Sequence, residues 1–263
     1  MQAAGRVVIT SLLSLCFIAC SDEGHRNHAD TLTVFAAASC AEWVQNLPNG
    51  VDLKLQFGPS SGLARQIADG APAQVFITAH KRWIEYLQGK GRVEGEPVAI
   101  ARNTLVCVAL DSTAFEKGAP TSLADLTRAL KADDRIAIAD ESVPAGDYAR
   151  QALIHAGQIE HLQPYFVGQD DARSTLRAVT QGQAKVGFVY ASDAQLAHVR
   201  RLFTLDPATH DPIQYWACVI RKPSPSQTAA MFLAELRSSP VQDLLQRSGF
   251  QAENPTDPAP LGQ

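Results

Sequence analysis

The feature that most limits how this chain can fold is a junction used four times. In Leu32 to Cys40 (LTVFAAASC) the apolar residues Leu32, Val34 and Phe35 suit a buried strand. Three small residues follow, Ala36, Ala37 and Ala38, and then Ser39, where Ala41-Glu42-Trp43-Val44-Gln45 opens a short helix. Serine is a favoured N-cap, and the first N–H groups of a helix have no partner inside it, so such a junction offers donors to an anion. The same order of strand, small or polar loop and helix returns at Ser60-Ser61, at Ala145-Gly146 and at Ala172.

Between these junctions the hydrophobic pattern alternates between two periods. Strands are expected at 32–35, 51–57, 74–78, 104–110, 135–140, 165–167, 185–190, 202–205 and 215–220. Helices are expected at 41–45, 63–70, 81–88, 121–130, 147–156 and 173–181, from 191, and over 226–249 with a break near Pro240. Gly70 reads as a helix stop, and Ser122 with Asp125 as an S-x-x-D helix start. Alternating strands and helices define an α/β class with mostly parallel sheets, in which ligands bind beyond the carboxyl ends of the strands. The 263 residues suffice for one large or two medium domains. A formal net charge of −4 with no basic run among aromatics excludes an electrostatic case for nucleic acid.

The N-terminus stands apart from this pattern. Arg6 precedes an apolar segment over 7–19 that is too short for a comfortable membrane span and has the form of an export signal. It ends in Phe17-Ile18-Ala19-Cys20, which resembles the lipobox of bacterial lipoproteins, with Phe17 in place of the usual Leu. That resemblance implies lipidation of Cys20 and a polar tether over 20–30. His25, His28 and His80 have no metal-ligand spacing. Of the remaining cysteines, Cys107 and Cys218 each lie in an expected strand. A bridge between them requires the strands to be neighbours; two buried free thiols are the favoured alternative.

The four junctions share one chemistry. Each helix start carries roughly half an elementary positive charge. Four of them around one point would surround it with neutral donors, which suits a small, fully ionised anion whose burial without partners costs roughly tens of kcal/mol. Singly, each junction is explained by helix capping or a tight turn. A nucleophilic role for Ser39 or Ser60 would need a nearby base, yet there is no G-x-S-x-G elbow and no signature ties His155, His161, His198 or His210 to either serine. An organic acid would call for an arginine clamp, for which Arg65 and Arg173 are the candidates.

At this point the chain resembles the periplasmic molybdate-binding proteins of ABC importers, a branch of the type II solute-binding proteins. The likeness runs over roughly 32–250. It is carried by Thr33-Val34-Phe35-Ala36-Ala37-Ala38-Ser39, by Ser60-Ser61-Gly62-Leu63-Ala64-Arg65-Gln66-Ile67 with Gly70-Ala71-Pro72-Ala73, by Val143-Pro144-Ala145-Gly146-x-Tyr148-Ala149 and by Gly187-Phe188-Val189-Tyr190-Ala191-Ser192-Asp193. The resemblance implies a two-lobed periplasmic-binding-protein fold with mixed, mostly parallel sheets. Two hinge strands, 104–110 outward and 215–220 back, would join the lobes and make Cys107 and Cys218 neighbours. The first lobe would comprise 31–105 with 218–251 and the second 106–217, after a signal over 1–19, with a loose tail over 252–263.

The resemblance also implies an oxyanion site. Ser39 and Ser60 would offer hydroxyl and N–H, Ala145 and Ala172 backbone N–H, and Tyr190 its phenol. The ligand would be molybdate or tungstate, with molybdenum present only inside the oxyanion, no cofactor and no catalysis. The implied partners are an ABC permease and a membrane reached through the lipid on Cys20, with the protein exported, monomeric and free of nucleic acid. Binding of sulfate or phosphate is the alternative; a regulator domain is disfavoured by the export signal. Cys40 departs from the larger apolar residue usual in the family, and Gly58-Pro59 and Gly62 from a loop richer in Ser and Thr. A pocket of donors alone disfavours hydrogen phosphate, unless one of Asp140, Asp170, Asp171 or Asp193 intrudes.

Overall fold

The structure, a computed structural model, describes residues 31–48, 50–110, 115, 118–224 and 226–253. The export segment, Cys20, the tether over 20–30 and the chain beyond Glu253 lie outside the described residues.

In chain order the elements are β1 (Leu32–Ala37), α1 (Ala41–Gln45), β2 (Leu53–Gly58), α2 (Ser60–Ala68), β3 (Val75–Thr78), α3 (Lys81–Gly89), β4 (Val93–Arg102), β5 (Leu105–Ala109), α4 (Leu123–Ala129), β6 (Ile136–Ala139), α5 (Pro144–His155), α6 (Ile159–Leu162), β7 (Phe166–Gln169), α7 (Ala172–Thr180), β8 (Val186–Tyr190), α8 (Ala191–Ala194), β9 (Arg200–Thr204), β10 (Gln214–Ile220), α9 (Gln227–Glu235), α10 (Ser239–Arg247) and β11 (Gln251–Ala252). They form two sheets, in the orders β11-β4-β10-β3-β1-β2 and β7-β6-β8-β5-β9. In the first, β1 runs parallel to β2 and β3; in the second, β6 runs parallel to β7 and β8. The remaining pairings are antiparallel, because β5 enters the second sheet against β8 and β9, and β10 enters the first against β3 and β4. Both sheets are therefore mixed, with a smaller parallel share than the alternation suggested.

One apolar cluster runs through both sheets, from Val34, Ile77 and Tyr215 to Leu105, Ile138 and Phe188. Two satellites cover the other faces: Phe35, Leu63, Ile67 and Ile84 around α2 and α3, and Val106, Leu176 and Val179 under α7. Burial on both faces explains why β3, β5, β6 and β8 are continuous apolar runs rather than alternating ones. No helix among the described residues is long and apolar enough to cross a membrane.

The chain passes between the sheets at Asn103-Thr104 and again just before β10. The two passages touch: the Asn103 N–H donates to the Ile213 carbonyl at 3.0 Å. The expected crossing strands are a point of correction. All of β5 belongs to the second sheet and all of β10, from Gln214, to the first, so the return passage precedes residue 217. Cys107 consequently lies opposite Phe188 and Phe203 in one sheet, Cys218 opposite Phe76 in the other, and both are buried free thiols. The bridge is excluded because β5 and β10 are not neighbours.

Two strands escaped the pattern. In β4, Glu94 pairs with Val219 and Val98 with Ala217, so Gly95-Glu96-Pro97 bulge out and break the alternation; Gly95 adopts φ +67. The two-residue β11 pairs with Arg102 and Ala101. Beyond it Glu253 pairs with Arg102 and accepts from the Gln214 amide at 2.9 Å, so the ordered body reaches past the expected boundary at 252.

Candidate functional site

Three parallel strands of each sheet end toward the same small space. From the first sheet, β1, β2 and β3 end at Ala37, Gly58 and Thr78; from the second, β6, β7 and β8 end at Ala139, Gln169 and Tyr190. Ser39, Ser60, Ala145, Ala172 and Tyr190 all line one cavity of about 20 Å³, together with Gly58, Ala79 and Asp171. The space suits a small ion, far below the several hundred Å³ typical of sites for larger organic ligands.

The first sheet supplies hydroxyls. Ser39 is not an N-cap: Ala37 holds that place, and Ser39 lies inside the tight turn Ala38–Cys40 that precedes α1. Its Oγ is 2.7 Å from the Tyr215 hydroxyl. Ser60 is the first residue of α2 behind Pro59, and its Oγ accepts from the Ala79 N–H at 3.3 Å. With that acceptor position occupied by a backbone donor, the Ser60 proton is left for the cavity.

The second sheet supplies backbone. The helix expected from 147 begins at Pro144, whose missing N–H is no loss at the first helical position. Ala145 is therefore a first-turn residue with no intrahelical acceptor for its N–H. Gly146 lets this helix start rest on the end of β6, since a Cβ there would sit 2.2 Å from the carbonyl oxygens of Ala139 and Asp140. Ala172 opens α7 behind Asp171, which forms a capping box with Ser174: the Ser174 N–H donates to the Asp171 carboxylate at 2.7 Å and the Asp171 N–H to the Ser174 hydroxyl at 2.9 Å. That box ties one Asp171 oxygen to the helix end.

Tyr190 completes the ring of donors. It is 2% exposed, and its hydroxyl has no hydrogen-bond partner among the described residues. Burial pushes its pKa well above the ordinary phenol value, so it remains a protonated donor. An orphaned buried hydroxyl facing such a cavity is costly unless something fills it.

Behind the donors lies a buried ion pair. Arg173, next to Ala172, places Nε 2.7 Å from the carboxylate of Asp193, which follows Tyr190 by three residues and is fully buried. Burial pushes Asp193 up to about 6; Arg173 opposes this and Asp171 adds to it. Cys40 is buried beside the same pair, and burial raises its thiol far above the usual range. Asp193 is thus engaged by Arg173, and Asp140 and Asp170 are exposed; Asp171 is the one of the four expected carboxylates that lines the cavity, with one oxygen held by the Ser174 N–H. Arg65 is exposed and stacks on Trp83. Among the described residues neither arginine lines the cavity, nor does any histidine, so the clamp and the serine nucleophile both lack their second partner there.

Contacts across the two sheets surround the cavity. Arg82 of α3 pairs with Asp147 of α5 and donates to the Ser142 carbonyl; the Tyr148 hydroxyl donates to the Ala79 carbonyl at 3.1 Å, and its ring stacks on His80. Tyr148 belongs to the Val143-Pro144-Ala145-Gly146-x-Tyr148-Ala149 motif, which by itself gives it no role. Tyr215, Asn103 and Ala79 carried no local signal, because their importance depends on which strands meet.

A family model described as bacterial extracellular solute-binding protein matches residues 32–251, and the chain belongs to that family. Its members are binding proteins, and the chain is one rather than an enzyme. Among curated relatives, it is 32% identical over 241 residues to a molybdate-binding protein of Escherichia coli, covering 88% of this chain and 91% of the relative. Among solved structures, it is similar to a substrate-binding domain of a putative molybdenum ABC transporter from Clostridium difficile, at 28% identity and TM-score 0.64 over 85% of this chain and 99% of the other. The periplasmic molybdate-binding protein of Azotobacter vinelandii shares the fold at TM-score 0.74 and 22% identity, over 85% of this chain and all of that one.

Proposed function

We propose that the protein captures molybdate outside the cytoplasm and delivers it to an ABC permease. The observation that carries the reading is the Tyr190 hydroxyl, buried and unpartnered among the described residues, in a cavity lined besides by two serine hydroxyls, two helix starts and Asp171, one of whose carboxylate oxygens is held by the Ser174 N–H. A fully ionised tetrahedral oxyanion supplies acceptors on every side and brings no proton that needs one. In this reading Ser39, Ser60 and Tyr190 donate O–H groups and Ala145 and Ala172 donate N–H groups. Tungstate, with the same charge and shape, binds as well. The relatives' names support molybdate as cargo and the ABC transporter setting.

Among the described residues no cationic side chain lines the cavity to hold the dianion, which favours release. Closure of the two halves on the anion presents one shape to the permease. The lipobox-like sequence at Cys20 supports a membrane-anchored, exported protein. Calorimetric titration with molybdate, tungstate, sulfate and phosphate tests the reading. Tight binding of the first two with far weaker sulfate is expected. Binding of sulfate or phosphate without molybdate would keep the fold and overturn the cargo.

A further inference from the structure

We propose that Asn103 and Tyr215 are positioning residues that lock the Ser39 hydroxyl as a donor toward the cavity, and so set discrimination against anions that carry a proton. The proposal rests on the oxyanion reading above and extends it to residues outside the cavity.

Tyr215 is fully buried on β10, held edge-on between the rings of Tyr190 and Phe250. Its hydroxyl has two side-chain neighbours, Ser39 and Asn103. The buried Asn103 accepts at its side-chain carbonyl oxygen from the Thr104 N–H at 2.9 Å, and its NH2 group donates to Ser192 Oγ at 2.8 Å, with a second proton left on the side of Tyr215. The Asn103 amide lies beside the phenol as a potential donor, and the one hydrogen-bond partner of the Tyr215 hydroxyl among the described residues is Ser39 Oγ at 2.7 Å, so the phenol proton has its acceptor there. A buried phenol proton left unbonded would be costly. Ser39 therefore accepts from Tyr215 and directs its own proton into the cavity.

The result is a one-way chain, from Asn103 N–H to Tyr215 O–H to Ser39 O–H to the anion, in which each donation strengthens the next. Ser60 reaches the same state by a different route, through the Ala79 N–H. An anion oxygen at the end of a fixed O–H vector cannot itself donate back, so an anion bearing a proton loses a partner there. Asn103 also anchors the passage between the sheets through its own N–H, which couples the chain to the seam.

The test uses Tyr215→Phe, which keeps the ring and removes the proton, and Asn103→Asp, which turns the head of the chain from donor to acceptor. Molybdate is titrated into the wild type and each variant at pH 7.5, with inorganic phosphate as competitor. Thermal melting confirms that each variant is folded. A wild type that ignores molybdate overturns the oxyanion reading in this first arm, and the proposal with it. Given wild-type binding, the expected result is a roughly tenfold weaker molybdate affinity in both variants, with phosphate becoming a competitor at millimolar concentration. Unchanged molybdate affinity, or an equal loss for both anions with phosphate still failing to compete, overturns the proposal.

Discussion

The two halves of the cavity solve one problem by different means. The first sheet presents side-chain hydroxyls, whose protons rotate freely until something fixes them; Tyr215 and the Ala79 N–H do so from behind. The second sheet presents, besides the Tyr190 hydroxyl at the end of β8, backbone N–H groups at the starts of α5 and α7, whose direction follows from the helix itself. There the demand falls on packing: Pro144 and Gly146 seat one helix start, and the Asp171–Ser174 box with the Arg173–Asp193 pair seats the other. Rotatable donors need orienting partners, whereas rigid donors need a rigid foundation. Loss of an orienting partner in the first half should cost affinity, and loss of the foundation in the second should cost stability.

The largest effect expected is therefore on the foundation of the second half. Arg173→Ala leaves the Asp193 carboxylate buried without its cation, a change that costs about 3–5 kcal/mol in comparable settings. At about 2–4 °C per kcal/mol for a body of this size, the melting temperature drops by about 10 °C. The pH dependence has a definite sign. The folded protein holds the Asp193 proton more tightly than the unfolded chain does, so the group's penalty is full above about pH 6 and fades as the pH falls toward 4. The deficit of Arg173→Ala, measured by melting, should shrink on going from pH 7.5 to 5. A deficit that grows on acidification would break this half of the comparison.

Next come two single-donor deletions, one in each half. Ser39→Ala removes a rotatable donor. Ala172→Pro removes a rigid one while keeping a residue suited to the first helical position, behind an Asp171 already in the extended conformation that precedes proline. Each is expected to cost about 1.5–3 kcal/mol of anion binding, roughly 10- to 150-fold, with the melting temperature within a few degrees of wild type. Calorimetry and melting together check both. A stable Ala172→Pro variant that binds normally would remove Ala172 from the donor set. The smallest effect belongs to the seam: Arg82→Ala breaks a half-exposed pair with Asp147 and should weaken every bound anion alike, by about 1 kcal/mol at most.

Much of this was legible in the chain. The strand and helix alternation appears because the central strands are buried on both faces and because α4, α7 and α9 begin at the capping residues Ser122, Asp171 and Ser226. Ser39, Ser60, Ala145, Ala172 and Tyr190 could be named because they sit in motifs that resemble those of a family; their meeting at one cavity could not be read from residues scattered over 150 positions. β4 was missed because Gly95-Glu96-Pro97 interrupt its alternation. The crossing strands were misplaced because an apolar run shows that a strand is buried without showing which sheet buries it. Local sequence makes Ser39 a helix cap, whereas its hydroxyl answers to Tyr215, 176 residues away. Tyr215 itself looks like any aromatic in a core strand.

The central claim is that donors from both sheets converge on one oxyanion. A crystal structure of the protein with molybdate, using the anomalous signal of molybdenum, tests it most directly. The account predicts one strong peak in the cavity, within hydrogen-bond reach of Ser39, Ser60, Ala145, Ala172 and Tyr190 through the oxygens around it, with the Tyr190 hydroxyl no longer unpartnered. A peak elsewhere, or a peak in the cavity with Tyr190 turned away from it, would contradict the account.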